Sequence, residues 1–364
     1  MLFLIICICN NLVAQQNPAV LFVGTYTNKC DSNGIYVYDF NYLNGSAKLR
    51  NTTENVVNPS YLTTSPDRKR VYSVNENGAE SKVSAFSYDQ KNRKLMLLNQ
   101  QNAGGADPCH IINDAKYVIT ANYSGGSISA FKKNMDGSMG KASQVVKFAG
   151  QGPNAARQEA PHAHMVAFSP DRKYVLSTDL GSDRIRLFAY YPNAETEVLV
   201  QKDSAVLKSG SGPRHLAFAP NEQFMYVLGE LDGSINAFRY VNGKLEMLQE
   251  TTIVQDKKLK AAAADIKISV DGRYLYATNR GDANTISTFS IDLEGKLHHK
   301  ETISTKGVGP RNFTIDPSGK MLLIANQGSN EIVIFDRNIE SGLLTDSGKR
   351  ISVCQPVCLV FMNR

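Results

Sequence analysis

Short runs of apolar residues, separated by turn-forming residues, cover almost the whole chain. The clearest stretch predicts four strands, at His215–Phe218, Phe224–Leu228, Ser234–Tyr240 and Leu245–Glu250. The turns between them carry Pro-Asn, Asp-Gly and Asn-Gly, which are residue pairs typical of tight turns and hairpins. Because helical periodicity is nearly absent, we predict an all-β unit of four antiparallel strands.

This unit repeats along the sequence. A turn residue followed by a strand recurs at Asp67, Asp114, Asp171, Asn221, Asp271 and Ser318, in steps of 47, 57, 50, 50 and 47 residues. The strands that follow have the sequences RKRVYSV, AKYVIT, RKYVLST, EQFMYVL, GRYLYAT and GKMLLIA. Four-stranded units at this spacing are typical of propeller blades.

The two ends of the chain predict one more blade. Residues 355–361 match residues 212–218 in position, so they predict an innermost strand with no partners after it. The predicted strands Val20–Tyr26 and Gly34–Phe40 have no innermost strand of their own. Pairing the two ends removes exposed sheet edges. We therefore predict a single seven-bladed β-propeller over residues 17–364, closed by the N-terminal strands and a C-terminal innermost strand.

Composition narrows the function without defining it. The chain has 364 residues, of which 42% are hydrophobic and 20% charged, as in an ordinary globular protein rather than a disordered or collagen-like one. The net charge is 40 − 34 = +6. This excess is spread along the chain, so it predicts no nucleic-acid partner. It is compatible with an anionic small molecule.

Residues 1–16 have the composition of an export signal. They contain no Asp, Glu, Lys or Arg, and Leu2–Cys9 is an apolar run too short to span a bilayer. We predict a signal peptide over residues 1–16, although the basic segment that usually precedes the apolar run is missing. The alternative is a first buried strand. No other segment is predicted to cross a membrane.

Four cysteines lie beyond this leader: Cys30, Cys109, Cys354 and Cys358. On one extended strand the Cα atoms of Cys354 and Cys358 would lie roughly 13 Å apart, beyond the reach of a disulfide. The spacing contains no CxxC pair and no zinc pattern. We expect four structural thiols, no metal and no other cofactor.

Candidate chemistry lies at one rim of the central channel. An innermost strand begins on the face where the second strand ends, so residues about 15 apart are expected to meet there. These pairs are Tyr61/Glu76, His215/Glu230, Asp265/Arg280 and Asn312/Gln327. The position just before the second member holds Asn75, Asn122, Asp179, Asn279 and Asn326. We expect these five side chains to fasten the next loop through bonds to its backbone.

Two adjacent positions open the innermost strands. The first position holds Ser60, Cys109, His164, Arg214, Ala264, Arg311 and Val357, and the second holds Tyr61, His110, Met165, His215, Asp265, Asn312 and Cys358. Charged side chains on a central strand are costly unless they face water or a ligand. The pattern therefore predicts a pocket for an anionic, oxygen-rich molecule, because arginine binds carboxylate and phosphate through a planar fork.

Each candidate also has a structural interpretation. His110, His162 and His215 are compatible with core or loop positions, and His164 with a hydrogen-bonded core histidine. Arg214 and Arg280 can pair with Glu230 and Asp265 as salt bridges between blades. Such pairs add little net stability when buried, so a cluster of them favours a functional site.

The strings GPRHLAFAPNEQFMYVLGEL, AADIKISVDGRYLYATNR, GPRNFTIDPSGKMLLIANQ and HMVAFSPDRKYVLSTDL resemble the seven-bladed propeller lactonase family. Its members include the bacterial propeller-type 6-phosphogluconolactonases and the fungal carboxy-muconate lactonizing enzymes. The resemblance covers nearly everything after about residue 18. It implies that His164, Arg214, Glu230 and Arg280 are the active residues, and Arg311 fits the same family pattern. Ser60, Cys109 and Val357 match no substrate group.

The resemblance implies hydrolysis of a sugar-acid lactone. We expect His164, with a near-neutral pKa, to act as general base on a water molecule. Arg214 and Arg280 would stabilise the oxyanion and bind the anionic group of the substrate. Glu230 would orient an arginine or carry the proton to the leaving oxygen. Further substrate contacts are expected from Arg311, Asp265, His215, Gln327, Glu76 and His110.

Two other functions stay open at this stage. A cycloisomerase would use the same arginines on substrate carboxylates, with His164 or Glu230 moving a proton at carbon. A non-catalytic propeller would bind a small ligand without turnover. We expect a monomer or weak homo-oligomer, periplasmic or secreted if the leader is cleaved and cytoplasmic otherwise. Export would favour a lactone without phosphate.

Overall fold

The computed structural model describes residues 18–256 and 258–362. These residues form seven sheets of four antiparallel strands each. In the described part of the chain the only helical segments are two short 3₁₀ turns, Gly78–Glu80 and Leu180–Ser182. The all-β, seven-bladed propeller predicted from the repeat is confirmed.

The strands are numbered in chain order. Blade 1 contains β28 (Pro356–Phe361), β1 (Ala19–Thr25), β2 (Ile35–Asn41) and β3 (Ser46–Thr52). Blade 2 contains β4 (Leu62–Thr64), β5 (Arg70–Asn75), β6 (Lys82–Asp89) and β7 (Lys94–Asn102). Blade 3 contains β8 (Pro108–Asn113), β9 (Tyr117–Asn122), β10 (Ser127–Lys133) and β11 (Met139–Lys147). Blade 4 contains β12 (Ala163–Phe168), β13 (Tyr174–Asp179), β14 (Arg184–Tyr190) and β15 (Leu199–Val206).

The remaining blades follow the same plan, with the first strand innermost. Blade 5 contains β16 (Pro213–Phe218), β17 (Phe224–Gly229), β18 (Ser234–Val241) and β19 (Lys244–Thr252). Blade 6 contains β20 (Ala263–Ile268), β21 (Tyr274–Asn279), β22 (Thr285–Ile291) and β23 (Leu297–Ser304). Blade 7 contains β24 (Pro310–Ile315), β25 (Met321–Asn326), β26 (Glu331–Arg337) and β27 (Leu344–Ser352).

The ring closes in blade 1, where the two ends of the chain share a sheet. Strand β1 pairs with β2 on one side and with β28 on the other, and Val23 lies opposite Leu359. The predicted closure is therefore confirmed. Residues 1–16, for which we predicted a signal peptide, lie outside the described residues. Among those described, no helix is long and apolar enough to span a membrane.

The core lies between neighbouring blades rather than within them, because each sheet buries both faces against the next. One cluster joins Leu228 and Ile235 of blade 5 to Ala277 and Phe289 of blade 6. Buried tyrosines on the second strands add a polar contact to this packing. The Tyr226 hydroxyl donates to the carbonyl of Gly295, 2.9 Å away in the next blade.

The Ser-Pro-Asp turns that follow innermost strands are closed by hydrogen bonds of their Ser and Asp side chains. In blade 4 the Ser169 hydroxyl donates to Asp171 at 2.6 Å and accepts from the Tyr174 amide at 3.0 Å. This closes the tight turn between β12 and β13 with side-chain bonds. The recurrence of Ser and Asp in the sequence thus reflects a turn that fixes where the second strand begins.

An irregularity near the start of six innermost strands positions the site. The pairing register shifts there at Pro108/His110, Ala163/Met165, Pro213/His215, Ala263/Ile266, Pro310/Asn312 and Pro356/Cys358. A bulge leaves a residue out of the regular pairing and changes the direction of its side chain. In five of these strands the residue passed over is the first-position residue: Cys109, His164, Arg214, Arg311 or Val357.

Two of the four expected thiols form a disulfide instead. Cys30, in the loop between β1 and β2, is bonded to Cys354, just before β28, with Cα atoms 6.1 Å apart. The prediction of structural thiols was wrong for this pair because only the closure of the ring brings together residues 324 apart in sequence. Cys109 and Cys358 are free and buried, as expected.

Candidate active site

A cavity of about 260 Å³ opens at the rim where the innermost strands begin. Its walls come from first-position residues, from the ends of second strands and from two loops. The lining residues are Glu76, Asp107, Cys109, Tyr123, Ser124, Arg157, His164, Glu230, Arg280 and Arg311. The cavity is polar and small, which suits one sugar-sized ligand rather than a polymer.

Glu230 is the charged centre of this cavity. Its Oε2 lies 2.9 Å from Arg214 Nε and 3.1 Å from Arg280 Nη2, and its Oε1 lies 2.6 Å from Arg157 Nη2. Burial alone raises the pKa of a carboxyl group, but the charges of Arg280 and Arg214 and the Arg157 hydrogen bond lower that of Glu230 from 4.5 to about 2. Glu230 is therefore ionised at neutral pH.

His164 lies beside this carboxylate without being hydrogen-bonded to it. His164 Nε2 is 3.9 Å from Glu230 Oε2, and the imidazole Nδ1 is 3.7 Å from Cys109 Sγ. Burial, with the nearby charge of Arg214, lowers the pKa of His164 well below 6.5. The near-neutral pKa that we expected is thus wrong, because the imidazole is buried among cations. His164 is neutral at pH 7.

The opposite wall contains a second carboxylate with different partners. The Glu76 carboxylate accepts from Ser60 and from the Tyr26 hydroxyl, the latter at 3.0 Å, and Arg311 Nη2 donates to that same hydroxyl at 3.0 Å. Burial raises the pKa of Glu76, although Arg311 and the two hydrogen bonds oppose this shift. Ser60, which the resemblance left unexplained, therefore binds Glu76.

Second-position residues form a buried layer beneath the cavity. His215 Nδ1 lies 2.8 Å from Asp265 Oδ1, and Asn312 donates to Asp265 Oδ2 at 2.7 Å. Arg214 Nη1 is 3.4 Å from His215 Nε2. This layer therefore supports Arg214, which is itself only 2% exposed and is absent from the lining of the cavity.

The structure thus divides the predicted site residues into groups. His164, Glu230, Arg280, Arg311 and Glu76 line the cavity. His110, His215 and Asp265 lie buried in the layer below, and the His110 ring contacts the Tyr61 ring at a tilt of 37°, with centroids 4.1 Å apart. Gln327 is half-buried and does not belong to the lining of the cavity.

The recurring Asn/Asp side chains make structural hydrogen bonds, as predicted, but most of them hold the loop before their own blade. Asn279 Oδ1 accepts from the Ala262 amide at 2.8 Å, and Asp179 Oδ1 accepts from the His162 amide at 2.8 Å. Asn75 donates to the Val57 carbonyl at 2.7 Å. Each of these partners precedes the innermost strand of the same blade. The prediction of the next loop holds for Asp179, which also accepts from the Ser182 hydroxyl, whereas Asn122 donates to Ser127 and Ser129 of the next strand.

The sequence reasoning missed four residues of the site: Arg157, Asp107 and Ser124, which line the cavity, and Tyr26, which contacts Glu76 and Arg311. Arg157 lies in the connection between β11 and β12, residues 148–162, which is the longest connection between blades. The 57-residue step in the repeat was the available signal. Tyr26 follows β1 and reaches Glu76 and Arg311 only because the ring closes in blade 1.

The arrangement combines a neutral imidazole, an ionised carboxylate and guanidinium groups in one concave site. A neutral imidazole accepts a proton, and guanidinium groups bind and stabilise anions. Within residues 18–256 and 258–362, no group of three His, Cys, Asp or Glu side chains is arranged to hold a metal ion. The side chains that line the cavity provide acid–base and anion-binding chemistry.

Comparisons with known proteins agree with the fold. The family model described as "Lactonase, 7-bladed beta-propeller" matches residues 20–361. A 6-phosphogluconolactonase of Formosa agariphila is 39% identical over 331 residues, which cover 89% of this chain and 94% of that protein.

Two solved structures are similar over almost their full length. A putative 6-phosphogluconolactonase from Bacteroides fragilis is 42% identical with a TM-score of 0.92, over 96% of this chain and 99% of that one. A periplasmic gluconolactonase of Pseudomonas aeruginosa is 32% identical with a TM-score of 0.90, over 95% of this chain and 99% of that one. From these matches, and from the architecture described above, the chain belongs to the seven-bladed β-propeller lactonase family.

Proposed function

We propose that this protein hydrolyses the lactone of a sugar acid, either 6-phosphogluconolactone or an aldonolactone without phosphate. The observation that carries the proposal is the pairing of neutral His164 with ionised Glu230 in a cavity lined by arginines. Family membership and the named activities of the relatives support the same chemistry.

In this mechanism His164 takes a proton from water while the water oxygen attacks the lactone carbonyl. The carbonyl oxygen becomes an oxyanion, which we assign to Arg280 and Arg311, because both guanidinium groups line the cavity. Breaking the ring C–O bond leaves an alkoxide. The imidazolium of His164 returns its proton to that oxygen, so that one water is added overall.

In this scheme Glu230 and Arg214 position other side chains of the site. A carboxyl group with a pKa of about 2 carries no proton to donate at neutral pH, so the orienting role expected for Glu230 is favoured over proton transfer. Its charge fixes Arg280 at 3.1 Å. Arg214 holds Glu230 from below and is fixed in turn by His215, which Asp265 orients.

The test replaces His164 by alanine and follows acid release from glucono-δ-lactone and 6-phosphogluconolactone, with the spontaneous hydrolysis subtracted. Loss of a general base is expected to lower kcat by about 10²–10⁴-fold. His298→Ala is the matched control, since His298 is exposed and pairs with Asp292 away from the cavity. Full activity of His164→Ala, or turnover of a muconate but neither lactone by the unmodified protein, would contradict the proposal.

We also propose that residues 1–16 are a cleaved signal peptide and that the protein works outside the cytoplasm. The relative described as a periplasmic gluconolactonase supports this, as does the Cys30–Cys354 disulfide, because disulfides persist in oxidising compartments. Sequencing the N-terminus of the mature protein tests it. A first residue close to position 17 is expected, and retention of the apolar run would contradict it.

A further inference from the structure

Arg157 differs from the other arginines of the cavity in its exposure. Its side chain is 42% exposed, whereas the side chains of Arg280 and Arg214 are 19% and 2% exposed. The cavity therefore has little-exposed guanidinium groups inside, those of Arg280 and Arg214, and a more exposed guanidinium group, that of Arg157, at its mouth. This accessible group also donates to the Tyr123 hydroxyl at 3.2 Å.

The backbone that carries Arg157 is held firmly by the next residue. Gln158 is fully buried, and its Nε2 donates to the Leu180 carbonyl at 2.9 Å and to Asp183 Oδ1 at 2.8 Å. Its Oε1 accepts from the Asn154 amide at 3.2 Å. Residues 148–162 thus place the base of the Arg157 side chain at the mouth, while its tip stays free to change partner.

Glu230 does not need Arg157 to remain ionised. Arg214 and Arg280 both lie within 3.1 Å of Glu230 Oε2, whereas Arg157 contacts Oε1. An ion pair with one side chain this exposed contributes little free energy. The Arg157 guanidinium can therefore exchange Glu230 for a substrate anion without leaving a buried charge unpaired.

The charges of the mouth favour such an exchange. Four arginines line or support the cavity against the carboxylates of Glu76, Asp107 and Glu230. The Asp107 oxygens already accept from the Gly78 amide at 2.7 Å and from the Ser124 hydroxyl at 2.5 Å. An incoming anion therefore meets a net positive charge in the cavity. The Arg157 guanidinium is the accessible part of that charge.

Resting on the lactonase function proposed above, we infer that Arg157 is a specificity-determining residue that binds an anionic group on the sugar carbon farthest from the lactone carbonyl. In this binding pose the C1 carbonyl lies beside His164 and Arg280, and the exocyclic C6 lies toward Arg157 at the mouth. A phosphate or a carboxylate at C6 would then replace Glu230 and Tyr123, which both accept from Arg157 Nη2 in the free protein, and its two oxygens match the planar fork of the guanidinium.

The experiment compares three lactones that differ at C6: 6-phosphogluconolactone, glucarolactone with a carboxylate, and gluconolactone with a hydroxyl. Steady-state kcat and KM are measured for the unmodified protein, Arg157→Gln, Arg157→Lys and Arg239→Gln. Arg239 is a matched control, because its side chain is 43% exposed and pairs with Glu246 on the outer surface. Calorimetric binding of the three corresponding acids gives a readout that needs no turnover.

We expect Arg157→Gln to raise KM for an anionic lactone roughly 10–100-fold, the usual effect of losing a charge-assisted hydrogen bond. KM for gluconolactone should change less than about threefold, and Arg157→Lys should recover part of the loss. Comparing the phosphate and carboxylate substrates identifies which anion is preferred.

Three outcomes would overturn the inference: no preference of the unmodified protein for either anion, an equal loss of kcat for all three lactones, or no effect of Arg157→Gln. An equal loss would mean that Arg157 only positions Glu230. If no lactone is hydrolysed, the proposed function fails, but calorimetry still decides the inference. Weaker binding of 6-phosphogluconate or glucarate by Arg157→Gln supports it, and unchanged binding overturns it.

Discussion

His164 Nε2 and Glu230 Oε2 lie 3.9 Å apart with no hydrogen bond between them, although both side chains are buried. A histidine paired tightly with a carboxylate would have a raised pKa. Here burial and the Arg214 charge lower the pKa of His164 well below 6.5 instead. The two groups therefore stay in opposite states at neutral pH, a neutral base beside an ionised acid.

This relationship predicts the acid side of the pH profile. The neutral form of His164 is the active one, and a lowered pKa keeps it neutral to lower pH. We expect kcat/KM to stay level from pH 7.5 down through 6.5 and to fall only at more acidic pH. Lactone hydrolysis measured in a pH-stat tests this. An inflection at 6.5 would show that His164 titrates like an exposed histidine.

We predict that Glu230 contributes both to kcat/KM and to the free energy of unfolding. Glu230→Gln leaves Arg214 and Arg280 without their buried counter-charge, which typically costs about 3–5 kcal/mol in the free energy of unfolding. We expect kcat/KM to fall by about 10²-fold as well, because Arg280 loses its anchor.

The pH dependence of that stability difference has a defined sign. The pKa of Glu230 is lowered from 4.5 to about 2 on folding, so its contribution is complete above 4.5 and is lost as pH falls toward 2. Urea unfolding of both proteins between pH 7 and 3 should show the gap closing below about pH 4.5. A gap that is unchanged at pH 3 would argue against this ion cluster.

The disulfide is predicted to stabilise the ring at its closure. Replacing Cys30 and Cys354 by serine removes a covalent link between the β1–β2 loop and the segment before β28, which typically lowers the free energy of unfolding by about 2–4 kcal/mol. Denaturant unfolding with and without a thiol reductant measures this. The reductant should destabilise the unmodified protein and leave the double variant unaffected; equal effects on both would mean that the bond contributes nothing.

The tyrosine contacts between blades are predicted to affect stability and not catalysis. Tyr226→Phe leaves the Gly295 carbonyl without its donor in a buried interface, at a cost of about 1 kcal/mol. Tyr191→Phe, on an exposed tyrosine, is the control. Thermal unfolding and lactonase assays together test this. A matching loss of kcat would contradict the prediction, because it would mean that Tyr226 also positions the active site.

The repeat predicted the fold because each blade repeats the same turn chemistry. It predicted the site less completely. The 15-residue spacing predicted that His215 meets Glu230. In the structure the side chain that contacts Glu230 is that of Arg214, one residue earlier. The bulge that selects Arg214 is a backbone irregularity, which no hydrophobic pattern records.

Long-range contacts set a second limit on prediction. Tyr26 meets Arg311, and Cys30 meets Cys354, only when the ring is complete. Arg157 reaches Glu230 from a connection outside the repeating unit. Residues within the repeat could be compared blade with blade, whereas these three contacts had no equivalent to be compared with.

Blade 1 has a consequence for synthesis on the ribosome. Strand β1 is synthesised before all the other described strands, whereas its partner β28 follows six complete blades in the sequence. Until β28 has been made, the nascent chain carries an open strand edge formed by Leu21, Phe22 and Val23, which is able to pair with another chain. Shielding of this edge during synthesis would therefore lower the chance of mispairing.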